Sequence, residues 1–173
     1  TQLMREQLLS AGLYEANGKP ADVYVINTCT VTASADSDSR KFLRRAISLN
    51  PDAQIIVTGC YVEKDMDAIK NICPDAVILK NNEKPVGGIS NFANHNRAFL
   101  KIQDGCDNYC SYCKVPFVRG KPRDRKKADV VKEAEALVKN GFKEIVLCGI
   151  CLGAYNDLIG LLVELEKIEC LSR

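Results

Sequence analysis

AFLKIQDGCDNYCSYC, residues 98–113, is the stretch from which the rest of this chain can be read. It opens as a short apolar run suited to a buried strand and reaches Gly105. It then places Cys106, Cys110 and Cys113 within eight residues, with gaps of three residues and then two. Thiolates are soft ligands for zinc, copper(I) and iron–sulfur clusters. A structural zinc site wants four ligands in closed tetrahedral geometry, often from two Cys-x-x-Cys pairs. No second pair follows here, and the single histidine, His95, lies upstream in an aperiodic segment. A 4Fe–4S cube held by three cysteines keeps one iron open for a substrate, so three thiols point to a reaction site. A zinc or iron–sulfur module without catalysis is the competing reading.

Composition agrees with a metal role. The chain has 173 residues, 46% hydrophobic and 27% charged, enough for a packed core. Its nine cysteines are odd in number and scattered, which suits metal binding or reactivity in a reducing compartment better than a disulfide scaffold. Net charge is only +2, so any nucleic-acid role must rest on local basic patches. No apolar run reaches the roughly 18 residues of a membrane span. The amino end, TQLMREQLLSAGL, carries charges inside an amphipathic pattern and is no signal peptide. The expected location is the cytoplasm, with no membrane partner.

Outward from the cysteine loop, periodicity predicts alternating helices and strands. Helical spacing covers 2–13, 35–49, 62–72, 129–140 and the run from Leu158 to Ile168. Apolar β-branched runs at 23–27, 54–59, 75–79, AFLKIQDG and KEIVLCG predict strands. Asp129 is the expected N-cap of its helix and Gly141 the stop. The fold class is therefore α/β with parallel sheets. Residues 80–97, rich in Asn, Gly and Pro, read as a linker. A helix stands first where a strand should precede it, and two βα units cannot close a barrel, so a truncated chain is expected.

CDNYCSYC resembles the radical S-adenosylmethionine (SAM) signature, Cys-x-x-x-Cys-x-aromatic-Cys, with Tyr112 as the aromatic. The resemblance implies a 4Fe–4S cluster on Cys106, Cys110 and Cys113 that binds SAM at its open iron and cleaves it with one electron. It also implies SAM contacts at Tyr112 and at Gly149, which ends the second barrel strand.

ADVYVINTCTVT (21–32) and NPDAQIIVTGCY (50–61) are similar to the amino-terminal domain of the methylthiotransferases. That radical SAM family carries a second, auxiliary 4Fe–4S cluster on three cysteines. Cys29 and Cys60 match two of them, and the first has no counterpart. Each follows a strand, and groups at the carboxyl ends of parallel strands gather in one crevice. NTCTVT and SRKFLRRA look most like the branch acting on N6-threonylcarbamoyladenosine beside the tRNA anticodon. The alternatives are the branches acting on isopentenyladenosine and on a ribosomal protein.

The domain plan implied is a methylthiotransferase amino-terminal domain over 1–80 without its first strand, a linker over 81–97, and the start of a radical SAM barrel over 98–173. The implied partners are tRNA and an electron donor of flavodoxin or ferredoxin type. In RGKPRDRKK (119–127), Arg119, Lys121, Arg123 and Arg125 are candidates for RNA phosphate contacts; a solvated charge run is the bland reading. Cys148 and Cys151 depart from the family's usual residues, and Cys73 and Cys170 read as bystanders.

Overall fold

The structure is a computed structural model that describes every residue except Pro85, Val86, Ala93 and Asn94. Those four fall within the expected linker, and that part of the expectation lies outside the described residues. In chain order come α1 (Gln2–Ser10), β1 (Val23–Thr28), α2 (Ala33–Leu49), β2 (Gln54–Gly59), α3 (Cys60–Lys64), α4 (Met66–Ile72) and β3 (Val77–Leu79). Then follow β4 (Ala98–Lys101), β5 (Gln103–Asp104), α5 (Val115–Arg119), β6 (Arg123–Asp124), α6 (Lys127–Lys139), β7 (Ile145–Cys148) and α7 (Leu158–Glu166). The architecture is α/β with parallel sheets, as the periodicity predicts.

Two compact units share these elements without following chain order. One gathers Gly12–Pro85 and Asn108–Gly120; the other gathers Thr1–Ala11, Val86–Asp107 and Lys121–Arg173.

In the first unit β1, β2 and β3 pair in sequence, all parallel, with the register running from Val23↔Gln54 to Thr28↔Gly59. Thr32 starts α2 earlier than its apolar spacing suggests, because its hydroxyl accepts the Ala35 N–H at 3.1 Å. The single helix expected over 62–72 is two. Asp65 leaves helical geometry (φ −155°, ψ 74°), ending α3, and its carboxylate accepts the Ala68 N–H at 2.9 Å, starting α4. Leu43, Ile55, Val57, Tyr61, Val62 and Ile69 form the core between sheet and helices.

In the second unit β4 pairs β7 in parallel, Ala98↔Ile145 through Lys101↔Cys148, and β5 pairs β6 antiparallel. Leu100, Ile102, Val130, Leu137 and Leu161 are its fully buried centre. α6 begins at Lys127, so Asp129 is not its cap. It sits in the first turn instead, where a carboxylate faces the positive end of the helix. Gly141, at φ 97°, follows the helix end as expected. α5 and β6 occupy a stretch without apolar periodicity. Pro116 fits the first turn of α5, and Gly120, at φ 74°, ends it.

Candidate metal centre and its neighbours

The loop after β5 turns at Gly105 (φ 79°) and again at Tyr109, a non-glycine residue at φ 47°. Cys113 donates its N–H to the Cys110 carbonyl at 2.9 Å, so these two thiols sit on one turn. Cys106 belongs to the second unit, and Cys110 and Cys113 to the first. Cys110 is exposed, Cys106 and Cys113 are half-buried, and none is in a disulfide. Tyr112 is 88% exposed, and the Tyr109 and Phe117 rings meet edge to face at 5.7 Å. The donor set fits an iron–sulfur group: three unbridged soft ligands on an irregular loop that solvent reaches. Among the described residues no three His, Cys, Asp or Glu side chains already converge as a metal site.

Cys29 and Cys60 lie one residue past the pair Thr28↔Gly59, at matching levels of adjacent parallel strands. Cys29 is exposed; its N–H donates to Ser39 Oγ at 3.3 Å. Beside it opens a groove of about 220 Å³ lined by Ile26, Ser39 and Phe42, among others. Cys60 is only 3% exposed, and its Sγ accepts the Arg119 Nε–H at 3.3 Å. The first turn of α2 carries a buried carboxylate that sequence patterning did not reveal. Asp36 accepts from the Thr30 hydroxyl and the Lys64 ammonium. Burial pushes its carboxyl up, but those two bonds and the charges of Lys64 and Lys114 outweigh that and hold it below the usual range. Arg40 donates to the Tyr61 hydroxyl at 3.1 Å.

The basic run divides. Arg119 is turned onto Cys60. Arg125 donates to the Lys101 carbonyl at 2.9 Å and pairs with the buried Glu133 at 2.5 Å. Lys121 and Arg123 are exposed. Glu133 also accepts the Ile89 N–H at 2.7 Å. At the end of β7, a Cβ on Gly149 would stand 2.7 Å from Leu152 Cδ2 and 3.1 Å from Gln103 Cβ, so glycine makes room for two side chains. Burial pushes the neighbouring Cys148 thiol up, which keeps it protonated at neutral pH. Gln103 is a further residue with no sequence signal. Strand alternation groups it with exposed Phe99 and Lys101, yet it is 1% exposed.

Residues 1–80 match the model described as Uncharacterized protein family UPF0004, and residues 100–171 match that of the Radical SAM superfamily. Threonylcarbamoyladenosine tRNA methylthiotransferase MtaB of Chlamydia pneumoniae is 35% identical over 99% of this chain and 46% of that protein. The protein of the same name from Bacillus subtilis (strain 168) is 38% identical over 87% of this chain and 40% of its own length. A tRNA-2-methylthio-N(6)-dimethylallyladenosine synthase of Paenarthrobacter aurescens (strain TC1) is 32% identical over 92% of this chain and 37% of that protein. The chain spans about half the length of the curated relatives it matches. Among the described residues no helix is long and apolar enough to cross a membrane. With both family matches in chain order and the thiol trio inside the second, the chain is similar to the radical SAM methylthiotransferases over about half of their length.

Proposed function

We propose that this chain is part of a tRNA methylthiotransferase that places a methylthio group on C2 of N6-threonylcarbamoyladenosine next to the anticodon. The observation that carries the reading is the CDNYCSYC trio, on the loop after β5, in a chain similar to relatives named threonylcarbamoyladenosine tRNA methylthiotransferase. Residues 1–80 would form the family's amino-terminal domain, 81–97 a linker, and 98–173 the opening of the barrel.

Cys106, Cys110 and Cys113 would hold a 4Fe–4S cluster, with Tyr112 and Gly149 beside SAM. Cys29 and Cys60 would contribute thiols to a second cluster. Bound cluster and SAM supply one-electron chemistry, which side-chain acids and bases cannot provide, for activating an aromatic C–H bond. The protein's part is to present soft donors, bring the nucleoside close and exclude water. An external electron donor of flavodoxin or ferredoxin type completes the requirement. Exposed Lys121 and Arg123 are the stronger candidates for RNA phosphates, since Arg119 and Arg125 already serve Cys60 and Glu133.

Anaerobic loading with iron and sulfide tests the metal reading. About four irons should bind through the trio, and their paramagnetic resonance spectrum should change on addition of SAM. Replacing Cys106, Cys110 and Cys113 with alanine should abolish that response. Zinc uptake without iron would overturn the reading. Nucleoside analysis of tRNA from cells with and without the gene tests the substrate. Loss of methylthio from threonylcarbamoyladenosine supports it; loss from the dimethylallyl nucleoside assigns the chain with the P. aurescens relative; unchanged tRNA refutes both.

A further inference from the structure

We propose that Gln103 is a positioning residue, a buried clasp that fixes the start of the Cys106 loop to the loop after β7. The inference rests on reading Cys106 as a cluster ligand. Its physical basis lies wholly within one compact unit.

The amide is placed by an irregularity in the strand. Ala98, Leu100 and Ile102 alternate inward, and Ile102 donates its N–H to the Cys148 carbonyl at 2.9 Å. The next residue is buried as well, so a polar side chain enters space that alternation would give to solvent. A buried amide must be hydrogen-bonded or it is costly. Gln103 satisfies the demand from two loops. Its Nε2 donates to the Gly105 carbonyl at 2.8 Å and lies 3.3 Å from that of Asp104. Its Oε1 accepts the N–H groups of Ile150 and Cys151, both at 2.9 Å.

One side of the amide therefore holds the residue before Cys106. The other holds the two residues after Gly149. The first loop follows β5 and the second follows β7. Beyond the amide, Gly105 donates its N–H to the adjacent Asp104 carboxylate at 2.9 Å. The Cys151 carbonyl accepts the Ala154 N–H at 3.0 Å, where a short 3-10 turn begins. Neither of these bonds joins the two loops. Gly149 belongs to the same device. Its missing side chain leaves the space that Gln103 and Leu152 fill. The clasp would hold the first thiol of the trio and the backbone beside SAM in one frame before either group arrives, as outer residues do for metal ligands.

Gln103→Met keeps length and removes all four bonds. In the iron-free chain, hydrogen exchange should show protection of the Ile150 and Cys151 amides falling on the order of tenfold, with the amides of Leu100 and Leu147 unchanged. Unaltered protection at Ile150 and Cys151 would overturn the clasp. Gly149→Ala, which crowds the amide without replacing it, should loosen the same two amides, and it decides the matter should Gln103→Met not fold. In the loaded chain, at matched iron content, the SAM concentration giving half of the resonance change should rise on the order of tenfold in Gln103→Met. An unchanged value would reduce Gln103 to a structural residue and overturn its positioning role. Failure of the unsubstituted chain to bind iron would defeat the function proposed above, and the exchange comparison would still judge the clasp.

Discussion

Two pairs of parallel strands end beside thiols in this chain, and they hold those thiols by opposite means. At the ends of β1 and β2, backbone geometry governs. Gly59 sits at φ 105° and ψ −172°, a region open in practice only to glycine, and Cys60 begins a helix at once. Beyond β5, which continues β4, and beyond β7, the backbone enters loops that one side-chain amide gathers. The first arrangement is built into the fold and cannot adapt. The second can be loosened without unfolding the sheet, which suits the cluster and nucleotide proposed for that loop.

The sharpest way to break this contrast is Gly59→Ala. A Cβ there would stand 2.1 Å from the Thr28 carbonyl oxygen and 2.7 Å from its nitrogen, both backbone atoms that cannot swing aside. Strain and collision together should cost about 3 kcal/mol or more, lowering the urea midpoint of the β1–β2–β3 unit. Gly149→Ala meets mainly side-chain atoms and should cost about 1 kcal/mol. Equal losses at the two glycines would erase the distinction between the strand ends.

A middle-sized effect concerns Asp36. Its carboxyl is held below the ordinary range in the folded chain, so folding binds fewer protons there than the unfolded chain does. The stabilisation is present above the ordinary aspartate pKa and is lost as pH falls through that value towards the folded one. Between about pH 5 and pH 3 the urea midpoint should fall more steeply for the unsubstituted chain than for Asp36→Asn. At neutral pH the substitution should cost about 2 kcal/mol, the scale of losing hydrogen bonds to a buried charge. Parallel pH profiles would show that Lys64 and Thr30 do not stabilise the ionised form.

These cases also mark what the sequence could reveal. β1, β2, β4 and β7 were legible because apolar, β-branched runs are a direct imprint of burial. The cysteine trio stood out because its three thiols fall within eight residues of one loop. Asp36, Gln103 and Glu133 were not. Each is a polar residue buried only because its partners come from distant segments: Lys64 for Asp36, Ile150 for Gln103, Ile89 for Glu133. Arg119 looked like a candidate for RNA phosphate contacts for the same reason, since nothing local shows that Cys60 is its partner. The break at Asp65 was hidden by apolar spacing that continues across it, although its capping chemistry is local.

The smallest effect tests how α5 is fastened inside its unit. Three features hold this five-residue helix: buried Val115 and Val118, the Asn81 Nδ2 bond to the Val118 carbonyl at 3.1 Å, and the Arg119 bond to Cys60 sulfur. Sulfur is a weak acceptor, and α5 makes its apolar contacts without it, so Arg119→Ala should cost under about 1 kcal/mol in global stability. Local behaviour should change more. The Phe117 and Gly120 amides, bonded to Lys114 and Pro116 carbonyls, should exchange several-fold faster, while β1 and β2 amides keep their protection. Arg119→Lys should behave like the alanine variant, because an ammonium lacks the fixed Nε–H that meets the sulfur. Recovery by lysine would mean that charge, not the directed bond, fastens the helix. Loss of protection across β1 and β2 would mean that the Arg119–Cys60 contact carries the whole unit, contrary to the local role given it here.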